Sequence, residues 1–128
     1  IEEEARIDAA RAKVSRVIHN RLDRGWLLGI DATTRYAVGK TAGEPLDAQD
    51  FAVQSRWNTR VVAGLPPSPI SAPGRASLEA ALNPVDGPWL YYVRTDEGGG
   101  VGSHTFVVTP AEFETARRIC IDKDLGCG

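Results

Sequence analysis

Four prolines fall within ten residues, in Leu65-Pro66-Pro67-Ser68-Pro69-Ile70-Ser71-Ala72-Pro73-Gly74, and this stretch constrains the fold more than any other. Each pyrrolidine ring fixes φ and removes an N–H donor, so neither a helix nor a central strand can run through it. Leu65 and Ile70 make the segment too apolar for a floppy linker, and it reads as a stiff wall. Upstream, Ile7, Ala10, Val14, Val17, Ile18 and Leu22 recur at helical spacing. That pattern predicts one amphipathic helix over residues 2–23, with Gly25 as its stop. Trp26-Leu27-Leu28-Gly29-Ile30 reads as a strand or extended segment, and residues 40–50 as a polar loop in which Asp47 caps a brief helical turn. Downstream, Arg75 to Leu82 carries helix signals stopped by Asn83-Pro84. Trp89-Leu90-Tyr91-Tyr92-Val93 and Thr105-Phe106-Val107-Val108 have strand composition, with Gly98-Gly99-Gly100 at the hairpin tip between them. Thr109-Pro110-Ala111-Glu112 is a strong helix start: a Thr cap, proline in the first helical position, and Glu at the third. The final helix runs to about Asp122 and buries Phe113, Ala116 and Cys120. Helices thus lead and close a chain with an antiparallel strand pair, which predicts an α+β fold. Its 128 residues suit a single domain.

Charge and cysteine content narrow the function classes. The formal net charge is −2 and no long run of Lys or Arg occurs, so nucleic acid is not an expected partner. No run of about 18 apolar residues could span a bilayer, and no signal-peptide pattern opens the chain. Ile1-Glu2-Glu3-Glu4 reads as a helix interior without a cap, so residues 1–128 are read as a fragment of a longer protein. Any membrane anchor would then lie upstream. Cys120 and Cys127 admit two readings: a disulfide, which would indicate an oxidising compartment outside the cytoplasm, or two free thiols. A zinc site drawing on His19 and His104 lacks the usual close ligand pairing. No metal and no cofactor is therefore expected.

The Glu2-Glu3-Glu4 cluster is the densest acidic group near an apolar helix face. A carboxylic acid set against apolar groups resists ionisation and can donate a proton, whereas a solvated acidic first turn merely favours the helix dipole. At about 100° per residue the helical wheel puts Glu3 nearest the centre of the apolar stripe and Glu4 at its edge, so periodicity does not choose among them. A wider pattern does. Ile1-Glu2-Glu3-Glu4-Ala5 and Val17-Ile18-His19-Asn20-Arg21-Leu22 resemble the opening of the YceG-like family of endolytic murein transglycosylases. The resemblance continues through Leu28-Gly29-Ile30-Asp31-Ala32-Thr33, Trp57-Asn58-Thr59-Arg60 and Gly64-Leu65-Pro66-Pro67-Ser68-Pro69-Ile70. Ala72-Pro73-Gly74 and Ser77-Leu78-Glu79-Ala80-Ala81-Leu82-Asn83-Pro84 follow. Leu90-Tyr91-Tyr92-Val93, usually written L-Y-F-V in the family, and Gly102-Ser103-His104-Thr105-Phe106, usually G-x-H-x-F, close it. The blocks keep their order over about residues 1–113. Ala32 stands where the family usually has proline, and Trp57 and Arg60 where it has two tyrosines.

The resemblance implies that Glu4, second of an E-x-E pair, is the essential acid and Glu2 a supporting carboxylate. It further implies glycan strands of peptidoglycan as substrate, with peptidoglycan synthases as partners. The implied location is the outer face of the bacterial cell membrane, reached through an N-terminal anchor. Glu2, Asp31, Asn58, Thr59 and His104 are the candidate substrate-binding residues. Asn58 suits an acetamido or hydroxyl group but equally a turn, Asp31 a substrate or a loop, and His104 a substrate or a structural hydrogen bond. Tyr91, Tyr92 and Trp57 could stack on sugar rings, although adjacent strand positions point to opposite faces, so one of the tyrosines belongs to the core. Two rival functions stand beside this one. One is a muramidase that admits water and uses Asp31 or Glu2 as second carboxylate; the other is a glycan-binding scaffold module with no turnover.

Overall fold

In the computed structural model, which describes residues 1–127, the first helix α1 spans Asp8–Asp23 rather than starting at Glu2. Residues 1–5 instead close a turn, in which the N–H groups of Glu4 and Ala5 both donate to the Ile1 carbonyl at 3.1 Å. The reason lies in packing. The turn brings Ile1, Ala5 and Ile7 onto the same apolar cluster as Ala10 and Val14, which outweighs the helix propensity of three glutamates. Glu3 is left exposed, so its place on the helical wheel has no counterpart in the fold.

Two units make up the chain, one formed by Ile1–Asn20 with the residues from Pro73 onward, the other by Arg21–Ala72. In the first, Val14 and Val17 of α1 are at most 1% exposed, each burial contributing about 2 kcal/mol. Helix α4 (Arg75–Leu82) buries Ser77 and Ala80 and ends at Asn83, as its Asn-Pro stop predicts. The connection beyond it is tied to α1, with Asn20 Nδ2 donating to the carbonyls of Gly87 at 3.0 Å and Trp89 at 2.9 Å. Strands β1 (Tyr91–Arg94) and β2 (His104–Val107) then pair antiparallel, with Tyr92 opposite Phe106 and Arg94 opposite His104.

A two-stranded ribbon is marginal alone, and here both faces are covered. Tyr91 stacks on Phe113 of α5 (Pro110–Asp122) with ring centroids 5.0 Å apart, and Val93 packs with Ala116 and Cys120. On the other face Tyr92 and Phe106 pack against Ala5, Ala10 and Val14. Helix α5 begins with the predicted capping box, Thr109 accepting from the Glu112 N–H while the Glu112 side chain accepts from the Thr109 N–H. Cys120 and Cys127 form a disulfide with Cα atoms 6.1 Å apart, which selects the first of the two cysteine readings. The loop between the strands turns back at Gly102, where φ of +88° favours glycine and the N–H donates to Asp96 Oδ1 at 2.9 Å.

The second unit begins at Arg21, in the last turn of α1, and the chain leaves that helix through Gly25, at φ +68°. Trp26–Ile30 forms neither helix nor strand, its Gly29 N–H donating to the Thr59 carbonyl at 3.0 Å, and a helix that the sequence did not announce, α2 (Asp31–Val38), follows it. Asp47 caps α3 (Ala48–Phe51) in a capping box with Asp50, as its position predicts. The proline-rich segment is irregular and is held by Trp57 Nε1 donating to Ser68 Oγ at 3.0 Å. Leu65, expected to help stiffen a wall, is 67% exposed. Among the described residues no helix is long and apolar enough to cross a membrane. The α+β class predicted from the sequence is the observed one.

Candidate active site

The turn that delays α1 also sets the environment of its glutamates. Ala5 is 2% exposed within the apolar cluster, so the neighbouring Glu4 is half-buried against that cluster, not displayed on a solvated helix end. Its Oε2 accepts a hydrogen bond from the Tyr92 hydroxyl at 2.9 Å. Tyr92 projects from the sheet face opposite Tyr91 and meets the His104 ring edge-on, centroids 5.8 Å apart. His104 is half-buried, and its Nδ1 is enclosed without a hydrogen bond. Burial holds its pKa below the ordinary 6.5; Arg94 acts in the same direction and Asp96 against it. Neutral imidazole is therefore the resting form at neutral pH.

Glu2 differs from Glu4 in kind. The Ser77 hydroxyl donates to its Oε2, joined by the Gly74 N–H at 3.3 Å and Arg11 Nη1 at 3.4 Å. Ser77, then the Gly74 amide, hold its pKa below the ordinary carboxylate value; burial opposes them and Arg11 supports them. Arg11 also donates to Ser77 Oγ at 2.9 Å, so the three side chains form one closed set. Glu2 is thus an ionised structural tie between the first turn and the start of α4. A carboxyl group whose pKa is held down is a poor proton donor near neutral pH.

Asp31, Asn58 and Thr59 belong to the second unit. Asp31 opens α2 and is paired with Arg60, whose guanidinium carbon sits 4.4 Å from the Phe51 ring centroid. Asn58 is fully buried. Its amide donates to the carbonyls of Phe51 at 3.2 Å and Val53 at 2.9 Å, and its Oδ1 accepts from Thr34 Oγ1 at 2.9 Å and the Arg60 N–H at 3.1 Å. Of the two parts open to Asn58, the structure gives it the turn-holding one. Thr59, 1% exposed, accepts from the Ile30 N–H at 2.9 Å and shares a 2.7 Å hydrogen bond with Thr33. Neither side chain offers surface to a ligand. Of the candidate stacking rings, Trp57 lies 6.2 Å from the half-exposed Tyr36.

Some partners escaped the sequence reading. Nothing local linked Tyr92 to Glu4 or Ser77 to Glu2, and the only signal was strand alternation, which put one tyrosine of the pair on each face. Among the described residues no group of three or more His, Cys, Asp or Glu is placed to hold a metal ion. The disulfide also removes both cysteines from the zinc alternative.

A half-buried glutamate accepting from a phenol on an α+β scaffold defines a site able to give and take a proton through one carboxyl group. The model of the YceG-like family matches residues 1–119, and the chain belongs to that family. It is 39% identical over 105 residues to a Bacillus subtilis protein named endolytic murein transglycosylase, covering 82% of this chain and 29% of that one. It is also similar to a crystal structure of a yceG-like protein from Listeria monocytogenes, with a TM-score of 0.81 and 34% identity. That match covers 89% of this chain and 36% of the other, so the chain spans about a third of the length of these relatives.

Proposed function

We propose that this chain carries the catalytic site of an endolytic lytic transglycosylase acting on the glycan strands of peptidoglycan, with Glu4 as acid and then base. The observation that carries the reading is Glu4 itself: the second glutamate of the family's E-x-E pattern, half-buried beside an apolar cluster with a neutral phenol on Oε2. In its acid form Glu4 protonates the glycosidic oxygen between N-acetylmuramic acid and N-acetylglucosamine as the C1–O bond breaks. The resulting carboxylate takes the proton of the muramic C6 hydroxyl as that oxygen closes onto C1. The product is a 1,6-anhydro end, and no water is consumed. One carboxyl suffices because the substrate supplies the nucleophile, whereas hydrolysis in most glycosidases employs two.

The other candidates take supporting parts. Glu2, held as an anion by Ser77, Gly74 and Arg11, orders the turn that presents Glu4. His104 lies beside Tyr92 as a neutral ring able to meet a sugar hydroxyl. Asp31 offers a polar edge in its own unit, and Asn58 and Thr59 order the loop behind it. The Cys120–Cys127 disulfide supports action outside the cytoplasm, at the cell wall. The chain is then the catalytic domain of a longer, membrane-anchored protein that works beside peptidoglycan synthases.

The test is mass spectrometry of glycan strands incubated with the chain and with Glu4→Gln. Anhydro-muramic ends made by the native chain, falling at least about a hundredfold with Glu4→Gln, are the expected outcome. Reducing ends would move the assignment to a muramidase. Glycan binding without turnover, unchanged by the substitution, would move it to a scaffold module.

A further inference from the structure

We propose that Tyr92 is a positioning residue for Glu4, its hydroxyl fixing Oε1 as the oxygen that both delivers and recovers the proton. The inference rests on the reading of Glu4 given above. The Tyr92 hydroxyl donates to Oε2 at 2.9 Å. In a neutral carboxylic acid the carbonyl oxygen is the stronger acceptor, so a donor on one oxygen favours the proton on the other. With Oε2 so engaged, the proton of the acid form sits on Oε1.

The same bond persists after the proton has gone. A carboxylate that has just protonated a leaving group could otherwise rotate about its terminal torsion, which is broad and nearly two-fold. Held at Oε2, the group exchanges its oxygens only by breaking that bond. Oε1 then stays on the side from which it released the proton, and it is there that the C6 hydroxyl gives one up. A reaction that uses one carboxyl twice benefits from this more than one dividing the steps between two groups.

The ring that carries the hydroxyl is itself fixed. Tyr92 lies on β1 opposite Phe106, the two centroids 6.1 Å apart, with His104 edge-on and the Ala5, Ala10 and Val14 cluster beneath. The nearby charged side chains of Arg94 and Asp96 bond each other through two contacts, at 2.7 and 3.1 Å. Tyr92 also stands at the third position of the block that the family usually writes L-Y-F-V. Phenylalanine there keeps the ring and removes only the hydroxyl, so Tyr92→Phe tests the bond without emptying the core.

The experiment compares the native chain, Glu4→Gln and Tyr92→Phe on glycan strands, reading kcat and KM for anhydro-end formation well below each protein's Tm. Tyr92→Phe should lower kcat roughly tenfold with KM unchanged. Full kcat in Tyr92→Phe, or a rise in KM that accounts for the whole loss, overturns the positioning role while leaving Glu4 in place. A native chain that makes no anhydro ends, or a Glu4→Gln chain as active as the native one, overturns the reading of Glu4 and this inference with it.

Discussion

The two units of the chain are held together by different chemistry. In the unit of Ile1–Asn20 and the residues from Pro73 onward, Ser15, Ser77, Thr95 and Ser103 are buried beside an apolar core that includes Ala5, Ala10, Val14, Val17, Leu90, Val93 and Ala116, and a disulfide closes its last helix. In the unit of Arg21–Ala72, Leu28 is the one buried apolar residue among those described. Its remaining buried side chains are Thr33, Thr34, Asn58 and Thr59. The apolar cluster of the first is non-directional and answers mainly to volume; the second unit's interior is almost wholly directional, and each member is satisfied only while the others keep their places. A chain can thus order a region with few large apolar groups, provided its buried hydroxyls and amides complete one another's bonds.

Removing the hub of the polar core should have the largest effect on stability. Asn58→Ala deletes four hydrogen bonds and leaves the carbonyls of Phe51 and Val53, the Thr34 hydroxyl and the Arg60 N–H to find new partners. The expected loss is about 4 kcal/mol, read by denaturant titration, with hydrogen-exchange protection falling in residues 29–34 and 58–62. A loss below about 1 kcal/mol would break the comparison, because a network replaced so cheaply could not be what orders these residues.

The same contrast explains what the sequence could and could not reveal. Helix α5 was legible from Thr109-Pro110-Ala111-Glu112 because a capping box is a local object, its partners three residues apart. The hairpin strands and α4 were legible for similar reasons. The start of α1 was misplaced because Ile1, Ala5 and Ile7 gain more from the apolar cluster than a helical first turn would give. Helix α2 went unseen because Thr33 and Thr34 are β-branched and favour strands locally. Their helix is held by hydroxyl bonds to Asn58 and Thr59, which no window of α2 contains. At the candidate site the division is the same. Family pattern pointed to Glu4, whereas its phenol partner, 88 residues away in sequence, became visible only once the strand was laid on the turn.

Exchanging the two kinds of core residue sharpens the comparison. Val14→Thr puts a hydroxyl at a site that is 0% exposed and walled by Ala5, Ala10 and Ile18, and should cost about 2 kcal/mol. Thr34→Val removes a hydroxyl of nearly the same volume from the polar core. There the Asn58 Oδ1 keeps the Arg60 N–H, so the cost should be nearer 1 kcal/mol. Equal costs measured side by side would mean that volume alone governs both cores.

The cores should differ least in size, but clearly in sign, when only pH is changed. Threonine and asparagine do not titrate, so the polar core is indifferent to mild acid, whereas the apolar one encloses the His104 ring beside Tyr92 and Phe106. Burial, aided by Arg94 and opposed by Asp96, sets the folded-state pKa of His104 below 6.5. As pH falls, the unfolded chain therefore binds the proton first, and stability present in full above 6.5 declines until the folded ring also titrates. The native chain should lose stability as pH falls through 6.5, and His104→Phe should flatten that slope while keeping a ring in the space. If the slope survives the substitution unchanged, the buried ring is not its source, and the contrast between a titrating and a non-titrating core fails with it.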